Sequence, residues 1–443
     1  MSRYLDLADQ VLGLVGDRGE AEVLVYGGIE ALTRFANSFI HQNVGEEQLS
    51  VTLKVAVDGR VSSATSTQTD DDALRRLVDA TIEAARLRSV DPDWPGLAAP
   101  AVVPAVEHYD EATHFASPAE RAAVVKAFVD VGPGLKAAGY CGTEGGTVAF
   151  VNSAGQRVEG RSTRSTIDGI HQTGTSAGSG HQTAGRLAEL DGAAVGSVAR
   201  RRAVESAEAF DLEPGEYEVV LAPECVATMV VFLCAYGLNA KQVAEGQSFA
   251  EVGKQQFDDR VAIWDDATGP GALGVLFDAE GTPKRRVELV TGGVTASLAH
   301  DRRTARKLDT ESTGHAVPGG ETWGAFPTNL FVGVGGETVE EMIAAVERGL
   351  YVSTFNYNRV LDPKTQVVTG LTRNGTFMIT NGEITGSVTN LRYTQSFVEA
   401  LGPGRVLGLG SDSRFAASEF GDGLIHTPSV RLASWNFTGG AEG

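Results

Sequence analysis

The sequence predicts an α+β protein. Its N-terminal part is an antiparallel sheet with helices on one side. Its C-terminal part is a β-rich barrel or sandwich domain with a buried central helix. Three observations carry this reading. Residues 4–88 run from a helix through successive strands to a second helix, an order that suits one sheet covered on one face. Glycine, at 54 of 443 residues, exceeds its average share of about 7% and favours tight turns over a helical bundle. The stretch from Leu212 to Asn239 passes from a turn through a short strand into a helix that is apolar all round. A chain of 443 residues is too long for one ordinary core, so we expect two domains, 1–210 and 211–443.

Taken in order, Leu5, Ala8, Leu12 and Val15 lie at helical spacing and predict an opening helix. Ala21–Tyr26, Thr33–Gln42, Leu49–Ala56 and Val61–Ser66 read as strands, with Asp58-Gly59 a hairpin turn between the last two. Asp71–Arg88 is a helix with Leu74, Leu77, Ile82 and Ala85 on its apolar face. Asp91–Pro104, rich in Pro, Ala and Asp, reads as an extended connector. Ser117-Pro118-Ala119-Glu120 starts a helix through a capping box and should end near Gly132. Strands Thr147–Asn152 and Gln156–Ser165 follow. Gly174–Gly185 is flexible by composition, a loose connection or a lid. Val195–Phe210 is the helix that leads to the domain boundary.

In the second half, Tyr217–Leu221 is a strand and Pro223 opens the apolar helix, with Glu224 in its first turn. Beyond it we expect strands at Arg260–Trp264, Gly274–Phe277, Arg286–Thr291, Asn329–Val334, Gln366–Leu371 and Phe377–Thr380. Asn374-Gly375 and Asn381-Gly382 read as hairpin turns. Helices are expected at Thr338–Arg348 and Thr389–Leu401, before a Gly/Ser-rich tail.

Visible catalytic machinery is scarce. No H-E-x-x-H, C-x-x-C, G-x-S-x-G or S-x-x-K on a strand-to-helix turn occurs. Val332–Gly336 leads into a helix but lacks the Walker lysine and the dinucleotide spacing. His300, Asp301 and His315 offer metal donors, yet the stretch reads first as a polar loop with surface histidines, as do His171 and His181. Cys225 and Cys234 belong to the apolar helix and should be inert. The cluster Asp278–Arg286 suits an exposed hairpin or the wall of a peptide cleft, and spacing alone favours the hairpin.

Composition excludes several partners. A formal net charge of −20 argues against nucleic acid or an anionic membrane surface as a ligand. The longest apolar run, Val226–Ala235, is about half of the roughly 20 residues that span a bilayer. With no long apolar segment at the N-terminus and three cysteines, a reduced cytoplasmic protein is expected.

L-E-P-G-E-Y-E-V-V-L-A-P-E (Leu212–Glu224) resembles the TldD/PmbA family, named historically as modulators of DNA gyrase. R-F-A-N-S-F-I-H-Q (Arg34–Gln42), G-Q-S-F-A-E-V-G-K (Gly246–Lys254), D-A-E-G-T-P (Asp278–Pro283), A-H-D-R-R-T-A around His300 and G-L-Y-V (Gly349–Val352) fit it in the same order. The resemblance implies a zinc-dependent peptidase system of two related subunits. The TldD-like subunit carries H-E-x-x-x-H on the helix after the central strand and a cysteine ligand near its C-terminus. Laid on this chain, that motif falls at Val231, Phe232 and Tyr236, and no cysteine follows Cys234. The chain therefore looks like the TldE (PmbA) branch. This implies no catalytic residues, no cofactor of its own and zinc only in a TldD-like partner, and it leaves both a homodimer and a monomer open when that partner is absent. An extensive apolar interface is expected in the C-terminal half. Asp278, Glu280, Thr282, His300, Asp301 and Arg302 are the candidates for a peptide-binding cleft. The alternatives are a stand-alone peptide-binding scaffold, and a metallopeptidase using His300, Asp301 and His315.

Overall fold

Residues 2–440 are described by the computed structural model. Helix α1 (Arg3–Val15) leads into strands β1 (Glu20–Ala36), β2 (Phe39–Val57) and β3 (Arg60–Ser66) and helix α2 (Asp71–Arg86). A single turn α3 (Glu111–His114) and helix α4 (Pro118–Asp130) precede β4 (Lys136–Asn152), β5 (Arg157–Gln172), β6 (Ala177–Ala184) and α5 (Gly192–Glu205). The six strands form one antiparallel sheet in the order β3-β2-β1-β4-β5-β6. Two α-β-β-β-α units thus meet at the β1–β4 pair. Val11 and Leu74 of the first helices pack on Val23, Val25, Val51 and Leu53. Phe128 and Val195 of the later helices pack on Phe35 and Ile167. Because side chains alternate along a strand, Glu22, Leu24, Thr52 and Lys54 point away from the helices. That opposite face meets the C-terminal half.

There, β7 (Gly215–Leu221) enters helix α6 (Pro223–Tyr236), followed by α7 (Ala240–Ala244), β8 (Ile263–Asp265), β9 (Val287–Thr291), β10 (Val294–Thr295) and α8 (Arg302–Lys307). Next come α9 (Gly320–Trp323), β11 (Leu330–Val332), α10 (Val339–Ala344), β12 (Arg348–Val352), β13 (Phe355–Asp362), β14 (Val367–Thr372), β15 (Thr376–Thr380) and β16 (Glu383–Ser387). The chain ends with β17 (Leu391–Ser396), α11 (Phe397–Ala400), β18 (Val406–Leu409), β19 (Arg414–Ser418), β20 (Gly421–Thr427) and β21 (Val430–Gly440). One sheet runs β13-β14-β17-β21-β7-β12-β15-β16, with β18 also on β21; the other runs β10-β9-β8-β11-β20-β19. Every residue of α6 from Pro223 to Cys234 is buried. Both sheets supply its surroundings, including Val219, Leu221, Ile263, Leu289, Leu330, Leu350 and Trp435. The α+β class and the buried central helix are therefore as the sequence predicts. Among the described residues no helix is long and apolar enough to cross a membrane.

Several local expectations are corrected. Gly174–Gly185 is not a loose connection: it holds β6, where Gly178 and Gly180 let the backbone of α5 come close enough that a Cβ would strike Ala199 and Val195 carbonyls. Thr33–Gln42 is two strands, because Asn37 and Ser38 both take positive φ (49° and 66°) and turn the chain back. Gly274–Phe277 forms no strand, only an isolated bridge from Phe277 to Pro283. The helix expected to reach Arg348 ends at Ala344, and Arg348–Val352 pairs with the central strand β7. The helix expected at Val195–Phe210 runs Gly192–Glu205. Thr389–Leu401 is mostly strand β17, with one helical turn after Ser396. Asn374-Gly375 links β14 and β15, which pair with other neighbours and form no hairpin. The Gly/Ser-rich tail is strand up to Gly440, and β21 lies beside β7; residues 441–443 of that tail lie outside the described residues.

Candidate functional site

Two places carry the functional argument, the middle of α6 and the junction between the N-terminal sheet and the C-terminal half. On α6, Val231 and Phe232 are 0% and 2% exposed and Tyr236 is half-buried. The Phe232 ring stacks on Phe420 at 5.0 Å, meets Phe397 edge-on at 6.1 Å and lies 5.8 Å from Tyr236. Zinc takes deprotonated nitrogen, sulfur or oxygen donors. Valine and phenylalanine supply none and tyrosine only a phenol, so zinc does not fit these three positions. Burial holds the Cys225 and Cys234 thiols far above their ordinary value, which leaves both protonated and unreactive.

At the junction, a cavity of about 480 Å³ lies between the outer face of β1, β2 and β3 and the loops around residues 279–321. Lys54 on β2 reaches Glu22 on β1 at 2.9 Å and Glu321 on α9 at 3.6 Å, and Glu280 faces it across the cavity. Burial opposes the Lys54 ammonium, but Glu22, Glu280 and Glu321 outweigh it and raise its pKa.

The D-A-E-G-T-P stretch is not an exposed hairpin. Asp278 is buried, and its Oδ1 accepts from the backbone N–H groups of Glu280 and Thr282, both at 2.9 Å. Its Oδ2 accepts from the Ala316 N–H at 3.0 Å. Gly281 takes a positive φ of 74° against the Phe150 ring, where a Cβ has no room. Its carbonyl accepts from Gln156 Nε2 at 2.8 Å, which ties this turn to the N-terminal sheet.

Glu280 follows, with Oε2 accepting from the Arg302 N–H at 3.0 Å. Burial, then the neighbouring Asp278 charge, push the Glu280 carboxyl up to about 8. In the unfolded chain a glutamate ionises near 4.3. Folding therefore holds a proton between these values, and stability falls as pH rises from the ordinary glutamate range toward 8. We expect Glu280→Gln to lose this dependence. Its melting midpoint should gain more over the wild type at pH 8 than at pH 5, as read by calorimetry.

Asp301 also lines the cavity, but its side chain caps α8, accepting from Thr304 N–H and Oγ1 at 2.7 and 2.6 Å. The arginines of that helix hold the connector: Arg302 donates to the Leu97 carbonyl at 2.7 Å, Arg303 bridges Asp91, and Arg306 donates to the Trp94 carbonyl. The histidines expected at the surface are buried: His171, His181, His300 and His315 are 0%, 7%, 6% and 1% exposed. His315 Nδ1 lies 2.7 Å from Thr313 Oγ1 and Nε2 lies 3.1 Å from Asp265 Oδ1. His300, Asp301 and His315 thus do not converge, and among the described residues no three His, Cys, Asp or Glu side chains are placed to hold a metal.

Of the sequence-predicted cleft residues, the fold brings Glu280 and Asp301 to the cavity and sets Asp278 behind it. Thr282, His300 and Arg302 lie off its walls. Sequence reasoning missed Asp91 in the connector and Glu22 and Lys54 on the strands. A charged residue alternating with apolar ones on a strand reads as solvent-facing, and only the covering C-terminal half makes that face a site.

A two-sheet C-terminal half round a buried helix, joined to a six-stranded N-terminal sheet, defines a class of two-part α+β proteins with a charged cleft at the junction. This chain belongs to the PmbA/TldD metallopeptidase family. The family's C-terminal domain, described as that of a PmbA/TldA metallopeptidase, matches residues 214–439, and its domain 1 matches residues 21–85. A metalloprotease of Methanothermobacter thermautotrophicus is 27% identical over 277 residues, 60% of this chain and 60% of that protein. A TldD metalloprotease homologue of Buchnera aphidicola is 25% identical over 42% of this chain and 39% of its own. These matches reach less than two thirds of the relatives' length. The crystal structure of TldE from Thermococcus kodakarensis superposes with a TM-score of 0.88 at 17% identity, covering 98% of this chain and 100% of that one, a likeness of fold.

Proposed function

We propose that this chain is the metal-free subunit of a two-chain zinc peptidase of TldD/TldE type that processes small or unfolded polypeptides. The observation that carries the reading is the helix α6. Where the family's metal-binding motif would fall, Val231 is fully buried, Phe232 packs on Phe397, Phe420 and Tyr236, and the three side chains offer no nitrogen, thiolate or carboxylate to a metal. In this reading zinc is held by a TldD-like paralogue, which supplies the Lewis acid and the activated water. This chain contributes an apolar C-terminal interface and the junction cleft, with Asp278, Glu280, Thr282, His300, Asp301 and Arg302 in and around it. An unfolded peptide would bind there in extended form through backbone hydrogen bonds, with shallow pockets giving limited specificity. A cytoplasmic location belongs to the same proposal, and three buried, unpaired cysteines suit it.

The test is peptide hydrolysis by the TldD-like paralogue with and without this chain. We expect cleavage of an unfolded casein-like substrate only when both chains are present. Hydrolysis by this chain alone would overturn the proposal.

A further inference from the structure

A second cavity, of about 800 Å³, opens between β6 and α5 of the N-terminal half and the starts of α6 and β19 in the C-terminal half. Its volume lies in the range that holds a small ligand. The buried wall is charged. Glu224, in the first turn of α6, and Arg202, on α5, line it and are each 5% exposed. Arg202 spans the two halves, donating from Nη1 to the Ser179 carbonyl at 2.9 Å and from Nη2 to the Tyr351 hydroxyl at 3.3 Å. Glu224 Oε1 accepts from Arg414 Nη2 at 2.6 Å. Burial opposes the Glu224 charge, but Arg414 and Arg202 outweigh it and hold the carboxyl below its ordinary value.

Two polar atoms of this wall are left over. Glu224 Oε2 and Arg202 Nε are buried and have no hydrogen-bond partner among the described residues, a rare condition in a folded core. Both are already stripped of water, so a ligand group that pairs with either gains a hydrogen bond at no further desolvation cost to the protein. Arg414 is the accessible member: its side chain is 36% exposed, and among the described residues its Nε and Nη1 make no hydrogen bond. Two arginines against one carboxylate leave a surplus positive charge, to which the exposed Arg201 adds. The other acids that line the cavity are engaged or outlying. Asp412 accepts from the Ser429 N–H and Oγ at 2.8 and 2.7 Å, Asp191 caps α5, and Glu189 and Glu340 are exposed. Val195, Val198, Val339 and Phe415 supply apolar wall. A fitting ligand therefore carries a carboxylate next to an N–H donor and an apolar side chain. The last residue of a peptide has all three on one α-carbon.

We propose that this cavity holds the carboxyl-terminal residue of a peptide. The terminal carboxylate accepts from the free N–H groups of Arg414, and the last amide N–H donates to Glu224 Oε2 once the Arg414 side chain turns toward the ligand. The site belongs to this chain alone and needs no zinc-bearing paralogue, so its failure and that of the two-chain peptidase reading are separately visible. The experiment is calorimetric titration of the full chain with three peptides. They are N-acetyl-alanyl-alanyl-leucine as the free acid, its carboxyl-terminal amide, and the free acid N-methylated at the last amide. We expect the free acid to bind, and each altered peptide to bind at least about tenfold more weakly for want of one hydrogen bond to a charged group. Arg414→Gln, which leaves Glu224 balanced by Arg202, should bind acid and amide alike. Val198→Trp, which fills the cavity from α5 without touching a charge, should abolish binding. Circular dichroism checks that both variants are folded, and the peptide series on the wild type needs neither. No binding of the free acid at about 1 mM, or equal affinity for acid and amide, overturns the proposal. So does discrimination kept in Arg414→Gln or binding kept in Val198→Trp. Inorganic phosphate binding as tightly as the peptide would also overturn it, making the cavity a general anion site.

Discussion

Phe232→Ala is expected to destabilise the C-terminal half by about 3–5 kcal/mol, the range for removing a large aromatic ring from a packed core. Phe232 is 2% exposed and touches Phe397, Phe420 and Tyr236, elements from three parts of the chain. The cavity left on a helix buried from Pro223 to Cys234 has little room to collapse. Urea unfolding followed by tryptophan fluorescence measures the loss, with Trp435 and Trp264 as reporters in this half. Phe39→Ala at the start of β2 is the control: its ring is 58% exposed, and the change should stay within about 0.5 kcal/mol. The contrast matters for function. Were α6 the wall of an open catalytic cleft, truncating Phe232 would cost far less. Glutamate at this position should be worse than alanine, because a carboxylate with no buried partner pays its desolvation as well.

The second large effect is expected at Lys284→Met. Lys284 is buried and donates from Nζ to Thr328 Oγ1 at 2.6 Å, with the carboxylates of Asp265 and Asp278 as its charged neighbours. Burial lowers the Lys284 pKa, and those two carboxylates hold it up in part. Asp265 is 0% exposed and accepts from the Asn329 N–H at 2.6 Å. Removing the cation breaks its hydrogen bond to Thr328 and leaves two buried carboxylates without a nearby positive charge, a loss of about 3 kcal/mol. For a unit of this size that lowers the melting midpoint by about 10 °C. Combining Lys284→Met with Asp278→Asn should recover part of the loss, since one of the stranded charges is gone; differential scanning calorimetry of the four proteins closes the cycle. Additive losses would contradict the electrostatic coupling of Lys284 to Asp278.

These two sites differ in how far the sequence announces them. The apolar run on α6 is legible because its periodicity leaves no polar face, and the turn at Pro214-Gly215 and Pro223 marks its start. Asp58-Gly59 and the Ser117 capping box are equally plain, each being local chemistry. Lys284 is not legible. It sits in a basic triplet, Lys284-Arg285-Arg286, in which the last two residues are exposed and only the first is buried. The same limit hides Lys54 and Glu22, whose strand face becomes interior only through residues roughly 225–300 positions later in the chain. Glycine misled at β6, where Gly178 and Gly180 serve close packing of α5, and guided correctly at Gly59 and Gly382, where positive φ is needed. Strand β21 hides in what reads as a Gly/Ser-rich tail, because its small and polar residues are interspersed with Leu432, Trp435 and Phe437, which face the core.

We propose that this chain holds no zinc and that a TldD-like paralogue does. The direct measurement is the metal content of each subunit, by elemental analysis, after the two chains are purified separately, dialysed against buffer with trace zinc, and compared with the reassembled pair. We expect zinc near one ion per TldD-like chain, unchanged on assembly, and only background metal on this chain. Stoichiometric zinc on this chain alone, lost on substituting His300 or His315, would contradict it.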